Sequence, residues 1–301
     1  MATPYPSPVD KLLTLGKPEA YSNVWQDYAA LGIGPEQIPD LIRLALDNEL
    51  RYDHLEEDED EDELDEEQEL AFWGPLHAIR ALGQLHAEAA IEPLLTLFDI
   101  ADKGDDEWVM EDFPATFAMI GPAALPALAA FVSDSSHLLY ARSYAGEALV
   151  SIGNAYPETR AESIDALSRA LEQYEKNDYE LNGLLINNLI HLKAVEAAPL
   201  IEKAFEADRV EEFIVGDWDD VQVALGLKEP SEEQRSLTLL NLLSPSVESP
   251  QPTRLPPENA HIVEQQNPSM PPSGAKKGSY QTKKAHKKME KRSRKKNRRK
   301  K

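Results

Sequence analysis

The chain has 301 residues, of which 54 are acidic and 31 basic, giving a formal net charge of −23, and it contains no cysteine. This length is compatible with roughly one to three domains and a substantial core. The absence of cysteine excludes disulfides, thiol nucleophiles and cysteine-ligated zinc. The first residues, MATPYPSPVD, lack the basic and apolar pattern of a secretory leader, so we expect a cytoplasmic protein.

Charge is divided very unevenly along the chain. Residues 276–301 hold fifteen Lys or Arg and one acid, a net charge of +14, whereas residues 1–275 hold 16 bases and 53 acids, a net charge of −37. Glu56–Glu69 contains twelve acids in fourteen residues. Like charges repel and cannot bury apolar surface, so we predict a disordered acidic loop at about 54–69 and a disordered basic tail at 276–301.

The N-terminal region is expected to form short helices. Residues 7–10 (SPVD) combine a capping residue, a proline and an acid in the order typical of a helix start. Further helices are predicted at Ser22–Leu31 and around Pro39–Asn48, where apolar residues recur at i, i+3, i+4 and i+7. No segment alternates β-branched and polar residues, so strands are not expected.

After the acidic loop, a unit of two apolar helices joined by a turn occurs four times. The copies are His77–Phe98, Pro114–Val132, Ala145–Leu171 and Leu184–Phe205. Their turns are 38, 32 and 40 residues apart. Paired helices at such a period are typical of an α-solenoid, because a single pair cannot bury its apolar surface alone. We therefore predict an all-α fold, an α-solenoid of stacked helical hairpins over residues 1–229.

Glycine and proline mark the turns of these units. Three glycines are expected to end the first helix of their pairs with a positive φ: Gly83, Gly121 and Gly153. Three prolines are expected in the first turn of a second helix, where the missing N–H costs nothing: Pro93, Pro126 and Pro199. Nine further prolines at 230–275 predict an extended linker between the solenoid and the tail.

The segment IRALGQLHAEAAIEPLLTLF (residues 79–98) resembles the HEAT-like repeats of the phycobilin-lyase type, and the resemblance covers about Trp73–Phe205. Phe213–Leu227, followed by a proline-rich linker and a basic end, is similar to bacterial repeat proteins of uncharacterised role. The resemblance implies stacked helix pairs and a role among scaffolds, adaptors, nucleic-acid-associated proteins and chromophore lyases. It implies no catalytic residue, because the shared positions are core and turn positions.

No motif in the sequence indicates catalysis, a cofactor or a metal. HExxH, GxSxG and GxGxxG patterns and a phosphate-binding loop are all missing. Asp99–Met110 has a glycine in the sixth position of an EF-hand but lacks the other ligands, so we interpret it as a solvated loop. Phe113–Ser133 is uncharged and long enough for a membrane span, but the Gly121-Pro122 break favours two short helices. We expect a non-enzymatic protein without cofactor, metal or membrane partner.

Candidate binding residues fall into three groups. Two tryptophans among acids, at expected loops or helix starts, are candidate protein anchors: Trp108 and Trp218. The inner surface of the solenoid is expected to come from the second helix of each pair, where the candidates are Glu92, Arg169, Glu202 and Lys203. Candidate contacts of the tail with nucleic acid or an acidic partner are Lys283, Lys284, Lys287, Lys288, Lys291, Arg292, Arg294, Lys295, Lys296, Arg298 and Arg299.

Together these features predict a non-catalytic repeat scaffold or adaptor that binds a protein partner on the solenoid surface. The polybasic tail would add electrostatic attachment to nucleic acid or a ribonucleoprotein. The alternative is a lyase-like or chaperone-like factor that holds a client protein during modification, and a structural protein without a defined ligand is a third possibility. A further hypothesis is that the tail folds back onto acidic segments of the same chain and weakens its own binding to nucleic acid.

Overall fold

The fold of the described chain is entirely helical. A computed structural model describes residues 5–18, 25–51 and 66–232, and no strand occurs within them. The predicted all-α class is therefore confirmed. The α-helices are α1 (Ile38–Ala45), α2 (Asn48–Arg51), α3 (Glu66–Ala71), α4 (Gly74–Gln84), α5 (Ile91–Gly104), α6 (Glu107–Ile120), α7 (Leu125–Ser133), α8 (Leu139–Ala155), α9 (Arg160–Leu171), α10 (Tyr179–His191), α11 (Ala198–Glu206), α12 (Glu212–Val215) and α13 (Trp218–Leu225).

The four predicted helix pairs are present as α4–α5, α6–α7, α8–α9 and α10–α11. In each pair a three-residue 3₁₀ turn immediately precedes the second helix. The prolines lie where they were predicted: Pro126 and Pro199 are the second residues of α7 and α11, and Pro93 is the third residue of α5. A backbone N–H has no intrahelical acceptor at these positions, so proline fits without loss of a hydrogen bond.

The pairs pack in chain order. The first helices α4, α6, α8 and α10 contact one another in succession, and these contacts are more extensive than those between successive second helices. Small residues permit the close approach. A Cβ on Gly83 would lie 3.3 Å from the backbone of Thr116 in α6, and a Cβ on Gly146 would lie 2.6 Å from the side chain of Asn188 in α10.

The predicted role of the turn glycines is correct only for Gly121, which has a φ of +101° at the end of α6. It is wrong for Gly83 and Gly153, which lie inside α4 and α8. These two glycines provide space for a neighbouring helix instead. The left-handed turn residues after α4 and α10 are His86 (φ 50°) and Lys193 (φ 53°).

Hydrogen bonds at three of the four turns link one helix pair to the unit that follows it. The imidazole of His86 contacts the carbonyl oxygen of Met119, and the guanidinium of Arg160 donates to the carbonyl oxygens of Leu192 and Lys193 at 2.9 and 2.8 Å. The Lys193 ammonium donates to Ala224 O at 3.1 Å. The residues joined are 31–33 positions apart. Helices α12 and α13 therefore follow the fourth pair in the same stacking direction.

The segment Asp99–Met110 is not the solvated loop that was expected, because it consists of the end of α5 and the start of α6. Asp99 and Asp102 lie on α5, and their carboxylates accept the backbone N–H groups of Leu138 and Ala141 at 2.8 and 2.9 Å. His137 also hydrogen-bonds Asp99 at 2.7 Å. Because the first N–H groups of a helix have no partner within it, these acids cap the start of α8 from another helix.

The N-terminal segment covers α4. Val9–Thr14 forms a 3₁₀ turn rather than the α-helix expected there, and the described part of the predicted Ser22–Leu31 helix contains only a short 3₁₀ turn. His77 of α4 is buried between two partners of this segment: its Nε2 donates to Gly16 O at 2.9 Å, and its Nδ1 accepts from Tyr28 at 2.8 Å. Burial lowers the pKa of His77, so the ring is a neutral core residue.

The acidic loop predicted at about 54–69 ends earlier than expected. Residues 66–69 form the first turn of α3, which contacts the Val9–Thr14 turn. Residues 52–65 and the predicted linker and tail from residue 233 onward lie outside the described residues.

Within the described chain, no single helix combines the length and hydropathy needed to cross a membrane. The segments Glu107–Ile120 and Pro122–Ser133 pass that test of length and composition only when taken together, and the chain bends by 114° between them. The break predicted at Gly121-Pro122 is therefore present.

Candidate protein-binding surface

Two buried ion pairs hold α6 against the N-terminal half of the fold. The Arg51 guanidinium donates to both carboxylate oxygens of Asp106 at 2.8 Å, and the Arg80 guanidinium donates to those of Asp112 at 2.6 and 3.1 Å. The Trp25 ring lies 5.0 Å from the Arg80 guanidinium. All four charged side chains are almost fully buried, so these pairs serve packing and offer no surface to a ligand.

The two candidate tryptophans both begin helices, as expected, and both are half-buried in aromatic contacts. Trp108 packs edge-to-face on Trp73 with ring centroids 5.1 Å apart, and the Lys17 ammonium lies 4.9 Å from the Trp108 ring. Trp218 packs on Phe205 at 5.9 Å. Each tryptophan therefore joins neighbouring elements of the fold and leaves part of its ring accessible.

The candidates on the second helices are exposed, and they lie on three different helices. Glu92 lies on α5, Arg169 on α9, and Glu202 and Lys203 on α11. Arg169 forms an ion pair with Asp165 at 2.6 Å on the same helix. No hydrogen bond or ion pair joins these candidates in the part of the chain that the structure describes. The tail candidates Lys283 to Arg299 lie outside the described residues.

The accessible side of α8 carries a row that the sequence analysis missed. Tyr140, Tyr144 and Glu147 recur at i, i+4 and i+7, and all three are partly buried. Tyr140 donates its hydroxyl to Glu180 of α10 at 2.8 Å. The row is therefore continuous with the neighbouring first helix.

Carboxylates from three helices surround this row. Glu107 and Glu111 lie on α6 and act electrostatically on Tyr144, together with Glu147 and with Asp102 of α5. The four largest charge effects on Tyr144 all come from carboxylates. We define the acidic face as six residues of α6, α8 and α10: Glu107, Glu111, Tyr140, Tyr144, Glu147 and Glu180.

Glu147 is the electrostatically unusual member of the acidic face. Burial raises its pKa to about 7, and the negative charge of Glu111 adds to the shift. Burial also raises the pKa of the Tyr144 hydroxyl, with a further contribution from Glu147. Within the described residues no basic side chain forms an ion pair with Glu147. A cation brought to this position would therefore relieve an unfavourable charge.

The acidic face was missed because the third repeat was taken to begin at Ala145. The helix begins at Leu139 because Asp99 and Asp102 cap it from α5, and local sequence does not reveal that contact. The spacing of Tyr140, Tyr144 and Glu147 was a usable signal, since residues at i, i+4 and i+7 share one side of a helix.

Within the described residues, no group of three or more histidine or carboxylate side chains is arranged to hold a metal ion. The carboxylates of the acidic face line a helix surface rather than a closed coordination site. The arrangement is thus suited to electrostatic and aromatic contact with another molecule.

Comparison with known proteins places the chain in a family. A family model described as "Protein of unknown function (DUF1186)" matches residues 48–241, which include all four helix pairs. No protein with a curated description and no solved structure shows significant similarity to the chain. Because the match covers more than half of the 301 residues, the chain belongs to the DUF1186 family.

Proposed function

We propose that this protein is a non-catalytic repeat scaffold that binds a basic segment of a protein partner on the acidic face. The observation that supports this most strongly is the environment of Glu147, a partly buried carboxyl group beside Glu111 that forms no ion pair with a basic side chain in the part of the chain that the structure describes. Such an arrangement disfavours the free protein and favours a complex in which a cation lies beside it.

The location of the acidic face also supports the proposal. Successive first helices pack more extensively than successive second helices, so in this proposal the first helices, rather than the second helices expected from the sequence, form the inner side of a curved, HEAT-like solenoid. Four residues of the acidic face are partly buried (Tyr140, Tyr144, Glu147 and Glu180), whereas Glu92, Glu202 and Lys203 on the second helices are exposed. An inner surface can contact a bound segment from several helices at once.

Tyr140 and Tyr144 give the acidic face the chemistry of a binding surface. Tyrosine combines a large apolar ring with a hydrogen-bonding group and is enriched among residues that dominate binding energy. An arginine or lysine side chain can lie on the ring while it pairs with an adjacent carboxylate. The basic tail at 276–301 adds salt-sensitive attachment to nucleic acid or a ribonucleoprotein in this proposal.

The test compares charge reversal on the two sides of the solenoid. In a chain ending at residue 275, Glu111→Lys with Glu147→Lys is expected to weaken partner binding at least about 30-fold, because binding hot spots contribute about 2 kcal/mol or more. The quantity measured is the amount of each host protein retained on the immobilised chain, determined by quantitative mass spectrometry.

The matched control carries Glu162→Lys with Glu202→Lys, which makes the same charge change on the exposed sides of α9 and α11. The amount of partner that this control retains is expected to be within about twofold of the amount that the native chain retains, since charges at the rim of an interface contribute little. Equal loss in both variants, with native circular dichroism in both, would reject the acidic face as the binding surface.

A further inference from the structure

The acidic face and the basic tail are complementary parts of one chain. Residues 276–301 carry a net charge of +14. The acidic face presents four carboxylates and two tyrosines, and the four largest charge effects on Tyr144 all come from carboxylates. On the second helices, exposed acids alternate with bases: Asp165 of α9, for example, pairs with Arg169 of the same helix at 2.6 Å.

The segment that joins the described chain to the basic tail is long enough for the tail to contact the acidic face of the same molecule. The described chain ends at Glu232, a few residues after α13, and α13 packs against α10, the helix that carries Glu180. Residues 233–275 lie between this point and the tail. A chain of that length can extend to about 140 Å, so it does not keep the tail from the acidic face. Tethering also gives the tail an effective concentration of the order of millimolar.

We propose that the basic tail at 276–301 binds the acidic face of its own chain and occupies the site of the external partner. The inference rests on the proposed function, because it names an internal competitor for the same surface. Lysine and arginine side chains of the tail pair with Glu111, Glu147 and Glu180 and pack against Tyr144. A partner or a nucleic acid must then displace the tail, which makes the scaffold autoinhibited.

The absence of cysteine allows a direct measurement on the full chain. Donor and acceptor dyes are attached to Ser293→Cys in the tail and Asn154→Cys, an exposed position on α8 seven residues after Glu147. An unattached chain joining Glu232 to residue 293 has an average span of about 40 Å. We expect a high energy-transfer efficiency at 50 mM salt that falls by at least half at 500 mM, because salt screens the attraction.

Two charge-matched variants identify the binding surface. Glu107→Gln, Glu111→Gln and Glu147→Gln are expected to lower the efficiency at 50 mM salt by at least half. Glu92→Gln, Glu162→Gln and Glu202→Gln remove the same charge from the second helices and are expected to leave it unchanged. An equal decrease in both would show non-specific attraction and overturn the proposal.

A third variant separates the acidic face from the other acidic segment. Replacing the acids of residues 56–65 by Asn and Gln is expected to leave the transfer efficiency near that of the native chain. If this variant releases the tail and the variant of the acidic face does not, the tail binds the acidic loop and the proposal is wrong. Partner binding by the chain ending at residue 275 is unaffected by either result, so a failure here is distinct from a failure of the proposed function.

Lowering the pH provides an independent readout. Glu147 interacts with Glu111 of α6 and with Tyr144 on its own helix, and within the described residues no basic side chain forms an ion pair with it. Protonation of Glu147 between pH 8 and pH 6 removes one carboxylate from the acidic face, and the energy-transfer efficiency is expected to fall over that range. In the Glu147→Gln variant this part of the pH dependence is expected to disappear, and its persistence would contradict a contact at Glu147.

Discussion

Replacing Asp112 by alanine is expected to lower the free energy of unfolding by about 3–5 kcal/mol, because it leaves the buried Arg80 guanidinium without a partner. Arg80 and Asp112 form two hydrogen bonds at 2.6 and 3.1 Å between α4 and α6. Burial raises the pKa of Asp112, although the hydrogen bond and the charge of Arg80 act in the opposite direction. For the Asp112 carboxylate, the interactions with Arg80 therefore do not fully offset the cost of desolvation.

The double variant Arg80→Met with Asp112→Leu tests this explanation. It removes both charges and is expected to be within about 1 kcal/mol of the native chain or more stable, as for other buried pairs replaced by apolar residues. Asp165→Ala, which breaks the exposed pair with Arg169, is expected to cost less than about 1 kcal/mol. Unfolding in urea gives the free energy of unfolding of all three variants. A double variant as unstable as Asp112→Ala would show that the ion pair itself stabilises the fold.

Replacing Phe98 by alanine is expected to destabilise the protein by about 3–5 kcal/mol, since it leaves a cavity where the first two helix pairs meet. The Phe98 ring stacks on Phe113 at 4.2 Å and lies 5.8 Å from Phe117 and 5.3 Å from Phe131. It is completely buried. Its partners come from α6 and α7, so the cluster couples two successive pairs.

Phe213→Ala is the matched control, because this phenylalanine is 66% exposed on α12. We expect this substitution to change the free energy of unfolding by no more than about 0.5 kcal/mol. Unfolding in urea, followed by circular dichroism, is expected to show one transition that moves to lower urea in Phe98→Ala. If Phe98→Ala lowers the free energy of unfolding by less than about 1 kcal/mol, the core is not continuous across the first and second helix pairs.

The sequence predicts the helix pairs because their apolar periodicity and their prolines are local signals. Pro126 and Pro199 lie in the first turn of a second helix as predicted, and Gly121 ends α6 with positive φ. Gly83 shows the limit of this reasoning. It lies within α4, where the missing side chain leaves room for Thr116 of α6, and a contact of this kind between distant residues cannot be deduced from a local pattern.

Long-range polar contacts account for the other differences. His77 is a neutral core residue held by Gly16 and Tyr28, which are far from it in sequence. Asp99 caps α8 and thereby determines where that helix begins. The acidic face was missed for this reason.

Carboxylate footprinting of the partner complex tests most directly whether the first helices form the binding surface. Carbodiimide labelling of the chain ending at residue 275, with and without bound partner, is read by mass spectrometry at individual carboxylates. We predict at least fivefold protection of Glu111, Glu147 and Glu180 on partner binding, with Glu162 and Glu202 labelled at unchanged rates. Protection of Glu162 and Glu202, with Glu111 and Glu147 unprotected, would contradict this account and place the partner on the second helices.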